Sequence, residues 1–228
     1  MTSLGGPATQ PARPLIAVVD YGAGNLVSID QALTTVGAEV VLARHPDDLA
    51  AADGLVVPGV GAAAPAMSRL AKRELVTAIL DWIRADRPYL GICLGLQLLF
   101  ERSDEDGAET LGILAGRTSR LVDAPTLPHI GWNQVVRRRE HRLFDGIADG
   151  ADFYFVHSYA GAPADDGETV LAETDHGRPF VCAVARGALL GVQFHPERSG
   201  ADGLRLLENF VAIVAAAAAA SSTVARSA

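Results

Sequence analysis

Apolar and polar positions along this chain follow two rhythms. Residues 15–19, Leu-Ile-Ala-Val-Val, form an unbroken apolar run ending at Asp20, the pattern of a strand buried on both faces of a sheet. After the glycine-containing turn 21–25, Leu26, Ile29, Leu33 and Val36 recur at helical spacing, and Gly37 supplies a stop. The same alternation predicts strands over 39–43, 54–57 and 88–92, a long helix over 66–85 and a further helix over 94–100. Strands separated by helices pair in parallel through right-handed crossovers, so an α/β layered sheet is expected.

Past residue 110 the rhythm changes. Segments 111–122, 131–138, 153–159, 169–174, 180–186 and 189–194 read as short strands between turn-rich stretches, which predicts antiparallel strands added to a parallel core. A closing helix over 201–218 is expected to pack on the sheet through Leu204, Leu207, Phe210, Val211 and Val214. The pattern predicts one domain over 14–218, with a disordered leader over 1–13 and a frayed tail over 219–228.

Composition narrows the function. A chain of 228 residues suits a single core. With 19 Lys and Arg against 27 Asp and Glu, the net charge of -8 argues against nucleic acid as a partner. Two cysteines provide no disulfide framework and suit a reducing compartment. The leader has no apolar run of the signal-peptide kind, and the alanine run 215–220 looks too short, with neighbours too charged, for a membrane span. A soluble cytoplasmic protein is expected.

The most informative stretch is Tyr89-Leu90-Gly91-Ile92-Cys93-Leu94-Gly95-Leu96-Gln97. An apolar strand runs through a glycine-flanked cysteine directly into a helix, the arrangement that exposes a hydrolase nucleophile on a strained turn. It sets Cys93 at a helix N-terminus, where free amides and the helix dipole favour an anion. A cysteine nucleophile needs a base, and the base needs an orienting partner. His195-Pro196-Glu197, after another strand candidate, offers both, with the proline fixing the backbone between them. The glycine-rich turn Pro58-Gly59-Val60-Gly61 also follows a strand, and parallel strands all end on one side of the sheet. Backbone amides there and at Leu94 form a candidate oxyanion hole.

Other signals lead nowhere. Gly22-Ala23-Gly24 has Val27 where a dinucleotide fingerprint needs a third glycine, and no phosphate-loop lysine follows Gly61. His45, His141 and His176 fall in loops without ligand spacing, so neither a metal nor another cofactor is expected. Cys182 alternates within a strand and reads as core, and Arg137-Arg138-Arg139 reads as a solvated turn.

Taken together, these residues resemble the class I, or triad, glutamine amidotransferases, and the resemblance runs from Leu15 to Val214. Within that family the chain is most similar to the glutaminase subunits of imidazole glycerol phosphate synthases. The similarity rests on Asp20-Tyr21-Gly22-Ala23-Gly24-Asn25-Leu26, Pro58-Gly59-Val60-Gly61, Pro128-His129-Ile130-Gly131-Trp132-Asn133, Tyr154-Phe155-Val156-His157-Ser158-Tyr159 and Gln193-Phe194-His195-Pro196-Glu197-Arg198-Ser199, in that order. It implies a flavodoxin-like three-layer fold and a Cys93–His195–Glu197 triad acting on glutamine. It further implies an oxyanion hole at Val60 and Leu94, and glutamine-binding positions at Gly61, Gln97, Glu105 and Ser158. The partner it implies is a (β/α)8-barrel cyclase subunit, meeting Asn25 and Trp132, in a heterodimer that channels ammonia. In such enzymes the strand 58–61 rearranges before it is competent, which couples hydrolysis to the partner's ligand. Two readings stay open beside this one: a class I glutaminase feeding a different synthase, and a catalytically silent binding subunit.

Overall fold

The computed structural model describes residues 13–165 and 167–227. The leader lies outside them except for Arg13, whose guanidinium is not loose: it donates to Gly37 O at 3.1 Å and Thr34 O at 3.0 Å, closing the end of the first helix. Five strands form the parallel half of a nine-stranded sheet in the order β2-β1-β3-β4-β12, with β1 (Leu15–Val19), β2 (Glu39–Ala43), β3 (Gly54–Gly59), β4 (Tyr89–Cys93) and β12 (Leu189–Val192). The unbroken apolar run of β1 does what its pattern predicts. Ile16 and Val18 enter one core while Ala17 and Val19 enter the other, so both faces of the sheet are covered.

One face is covered by α1 (Leu26–Thr35) and α5 (Gly200–Ser227), the other by α2 (Ala63–Lys72) and α3 (Leu75–Arg84). The single helix expected over 66–85 is therefore two. Glu74, between them, takes a left-handed conformation (φ 58°), which breaks the ladder without any glycine to announce it. Likewise the helix expected over 94–100 is only α4 (Leu94–Gln97), and the carbonyls of Leu98, Leu99 and Phe100 instead accept the N–H groups of residues 111–114. That commitment shortens the strand expected over 111–122 to β6 (Gly116–Arg120).

The antiparallel extension is larger than the sequence pattern suggests. Strands β11 (Pro179–Arg186), β10 (Val170–Asp175), β7 (His129–Arg137) and β8 (Ala151–His157) continue the sheet beyond β12 by four antiparallel pairings, against four parallel ones in the other half. The sheet thus joins the expected parallel core to added antiparallel strands that make as many pairings as the core does. The strand expected over 153–159 is split at Ser158. Before it β8 pairs with β7 in the large sheet; after it β9 (Tyr159–Pro163) pairs with β6 in a second sheet, whose other edge is the short β5 (Arg102–Ser103).

α5 runs past the expected end at 218 to Ser227, as the high helix propensity of alanine favours. By length and composition its Gly200–Ser221 stretch could cross a membrane, contrary to the expectation from the alanine run alone. Its Leu206, Leu207, Phe210, Val211 and Val214 are buried against the sheet, so one face of the helix belongs to the core.

Candidate active site

The carboxyl ends of β3, β4 and β12 bring the three candidate segments to one edge of the sheet. Cys93 is the last residue of β4 and the N-cap of α4, with φ 54° and ψ -108°, a conformation side-chain-bearing residues rarely adopt. Two glycines permit the turn. A Cβ on Gly95 would lie 1.8 Å from Val57 O, and one on Gly91 would lie 2.5 Å from Gly95 O. Any side chain at either position would push α4 off the sheet and carry Cys93 with it. Cys93 is buried and unbridged, as is Cys182, whose thiol is pushed well up by its burial.

His195 leaves β12 after two buried residues, Gln193 and Phe194, and is itself buried. Its Nδ1 lies 2.8 Å from Glu197 Oε1. Burial alone would disfavour the charged ring, but its interactions with Cys93 and Glu197 outweigh burial and raise His195 to about 10. His195 Nε2 and Glu197 Oε2 are buried and make no direct hydrogen bond among the described residues. The ring nitrogen turned away from Glu197 is the one left for proton transfer.

The turn is latched to β8. His195 N–H donates to Tyr154 O at 2.9 Å, Ser199 Oγ donates to His195 O at 2.6 Å, and Tyr154 N–H donates to Ser199 Oγ at 3.0 Å. Arg198 lies over the Tyr154 ring at 4.3 Å, and Trp132 meets that ring edge-on at 6.1 Å. Trp132, on β7, is 56% exposed, and Ile130 on the same face is 60% exposed. Asn25 is exposed too, capping α1 by accepting from Ser28 N–H at 3.4 Å. Asp20 holds the loop before it, accepting from Gly22 N–H and from Arg44, whose hydrogen bond helps overcome burial and keeps the carboxyl low.

A cavity of about 300 Å³ opens onto Cys93. Its lining brings together Val60, Leu94, Gly61, Gln97, Glu105 and Ser158, six positions singled out from the sequence. Glu105 is exposed at the mouth, its carboxyl raised by partial desolvation and by Asp106. Ser158 is there because the chain changes sheets at that residue. Gln97 Nε2 donates to Tyr159 O at 2.8 Å and to Gln193 Oε1 at 3.0 Å.

The same cavity is walled by His157, a residue without a role in the sequence pattern. His157 Nδ1 lies 2.8 Å from Tyr159 O, a carbonyl that can only accept, so Nδ1 carries the proton. Its Nε2 therefore accepts from His129 Nδ1 at 3.2 Å, and His129 Nε2 accepts from Asn133 Nδ2 at 3.2 Å. Burial lowers His157 to about 3 and His129 to about 4, so both rings are neutral. His176 is less of a loop residue than its sequence context suggests, since it stacks on His129 with ring centres 4.1 Å apart. Among the described residues no group of His, Cys, Asp and Glu side chains could hold a metal ion. Arg137 and Arg139, expected in a solvated turn, are tied down instead: Arg137 to Asp149, and Arg139 to the carbonyls of Val170 and Ala185.

Residues 17–214 match the family model for class-I glutamine amidotransferases. Among curated proteins, the chain is 49% identical over 207 residues to the imidazole glycerol phosphate synthase subunit HisH of Thermosynechococcus vestitus, covering 89% of this chain and 99% of that one. It is 46% identical over 197 residues to the HisH of Dehalococcoides mccartyi strain CBDB1, covering 86% and 96%. Among solved structures it is similar to the structure of PurLQS from Thermotoga maritima, with a TM-score of 0.71 at 19% identity, covering 89% and 99%. It is similar also to a glutamine amidotransferase from Thermotoga maritima, with a TM-score of 0.59 at 17% identity, covering 82% and 77%.

Proposed function

We propose that this chain, which belongs to the class I glutamine amidotransferase family, is the glutaminase subunit of an imidazole glycerol phosphate synthase, using Cys93, His195 and Glu197 as its triad. The observation that carries the reading is the cavity that Cys93 shares with Gly61, Gln97, Glu105 and Ser158, beside the His195–Glu197 hydrogen bond. The identity of nearly half to HisH proteins, over almost their full length, supports the choice within the family.

In this reading Cys93 Sγ attacks the side-chain amide carbon of glutamine, and the oxyanion is held by the amides of Val60 and Leu94. The C–N bond breaks as His195, held charged by Glu197, gives its Nε2 proton to the leaving ammonia. Water then attacks the thioester, His195 takes a proton from it, and glutamate departs as the Cys93 thiolate is restored. With both Gln97 amide hydrogens bound inside the protein, its Oε1 is the group that meets a substrate N–H, while Glu105 at the mouth suits the α-ammonium.

The partner is a barrel-shaped cyclase subunit seated over Asn25 and the exposed Trp132, which receives ammonia before it is protonated in bulk water. There ammonia yields imidazole glycerol phosphate and an aminoimidazole carboxamide ribotide. The strand 58–61 couples turnover to the partner's ligand. A soluble cytoplasmic setting keeps Cys93 reduced. The test is glutamine hydrolysis by the chain alone and with the cyclase subunit and its ligand. Negligible turnover alone and a large gain in the complex are expected; strong unassisted turnover would remove the coupling, and activation by a different synthase would reassign the partner. Cys93→Ala is expected to abolish glutamine-dependent turnover while ammonium salts still support the partner's reaction.

A further inference from the structure

We infer that Gln193 is a positioning residue for Cys93, its carboxamide held so that the NH2 end points at the nucleophilic sulfur. The inference rests on the proposed function only in taking Cys93 as the nucleophile.

Gln193 is fully buried, one residue beyond β12, with its backbone N–H given to Cys182 O at 2.8 Å. A carboxamide has two nearly identical ends, so its orientation follows from its neighbours. Here a backbone carbonyl decides. Tyr159 O can only accept, so the Gln97 atom 2.8 Å away is Nε2. That same nitrogen lies 3.0 Å from the Gln193 carboxamide, which must present Oε1 to it. The other end of Gln193, Nε2, then lies 3.6 Å from Cys93 Sγ, hydrogen-bonding distance for sulfur. Reversing the amide would set two donors against each other at Gln97 and an oxygen lone pair against the sulfur.

The chemistry of this donor differs from that of His195. The imidazole gives up its proton to the leaving ammonia, so for part of the cycle it cannot donate to sulfur. The Gln193 N–H does not titrate and stays throughout. A donor facing an anion is stronger than one facing a neutral group, and stronger again where water is excluded. The contact therefore acts whenever the sulfur carries charge, as it does when the thiolate is expelled on hydrolysis of the thioester. Gln193 does not line the cavity that would hold glutamine; its Nε2 bears on the sulfur, while its Oε1 reaches the substrate site only by holding Gln97.

Two substitutions test this on the full chain. Gln193→Glu keeps the shape and the acceptor for Gln97 but replaces the donor with a carboxylate; Gln193→Met keeps the length and removes both the donor and the acceptor for Gln97. The readout is the rate of Cys93 alkylation by iodoacetamide against pH, located by peptide mass so that Cys182 is not counted, with kcat and KM for glutamine in the cyclase complex. The pH midpoint of alkylation is expected to rise by about one unit in Gln193→Met and further in Gln193→Glu, as loss of one charge-assisted hydrogen bond implies. kcat is expected to fall about tenfold or more, with KM little changed in Gln193→Glu, where Gln97 keeps its acceptor. An unchanged midpoint in the folded variants overturns the inference, whether or not kcat falls, because packing alone would lower kcat without moving the midpoint. Should Gln193→Met fail to fold, Gln193→Glu, which retains the Gln97 hydrogen bond, decides alone. Alkylation needs no glutamine and no partner, so a wild-type complex that hydrolyses no glutamine would defeat the proposed function and leave this result readable.

Discussion

His195 and His157 are buried to nearly the same extent, 5% and 7% exposed, yet one is raised to about 10 and the other lowered to about 3. Burial pushes both toward the neutral ring. The difference lies in what each nitrogen faces. His195 has the Glu197 carboxylate on Nδ1 and Cys93 beyond Nε2, two groups that reward a positive charge. His157 has a carbonyl on Nδ1 and the neutral His129 ring on Nε2, with His129, His176 and His195 all opposing a second charge. Depth in the protein fixes the size of the electrostatic effect, and the identity of one neighbour fixes its sign. The two halves of the sheet divide the work accordingly. The parallel half carries a charged histidine at its carboxyl edge, and the antiparallel half supplies an uncharged wall to the same cavity.

Removing the carboxylate should make His195 resemble His157. Glu197→Gln is expected to lower kcat for glutamine about 10³- to 10⁴-fold in the cyclase complex, as loss of the orienting acid does in other triads, and to bring the His195 ring neutral near pH 7. Steady-state kinetics and imidazole nitrogen shifts by NMR check both halves, and a ring still charged at neutral pH would mean that Cys93 alone sustains it.

The next effect concerns stability. A histidine lowered on folding is neutral in the native state while the unfolded chain already binds its proton, so stability falls as the pH drops below about 6.5. The window runs to about 3 for His157 and about 4 for His129. Each such proton weakens the fold by about 1.4 kcal/mol per pH unit across its window. His195, raised on folding, works the other way: its contribution is complete below about 6.5 and is lost as the pH rises through about 10. Urea unfolding at pH 7 and pH 4.5 measures the acid limb. His157→Phe should flatten it by about one proton's slope; an unchanged slope would place the acid sensitivity elsewhere.

The smallest effect is at His176. It stacks on His129, and its charge interaction with that ring contributes, after burial, to holding it low. His176→Ala should let His129 rise by a fraction of a pH unit, measured by NMR titration, while His195 stays where it is.

The contrast between the two histidines also marks what was legible in the sequence. The placement of Cys93 and of the His195–Glu197 pair at one sheet edge was readable because its signals are written locally, in a strand-to-helix turn between two glycines and in a carboxylate two residues from its histidine. The parallel strands were readable for a similar reason, since a buried strand leaves an unbroken apolar run. The role of His157 was not, because its state depends on His129 and Tyr159 O, which come to it through pairing across β7 and the change of sheet at Ser158. The break at Glu74 was hidden for want of a glycine. The Gln193 side chain was invisible as a contact to sulfur, although it stands within the motif that carries His195, because only the carbonyl of Tyr159 fixes which way it points.

The backbone of Cys93 has one more implication, concerning selection. A residue with a side chain held at φ 54° and ψ -108° carries about 1–3 kcal/mol of strain that glycine would not. Variation screened only for thermal resistance should therefore drift toward glycine at position 93, gaining stability and erasing the enzyme in a single step. If Cys93 is the nucleophile, cysteine at this position serves the sulfur chemistry and not the fold, whose backbone there suits glycine better.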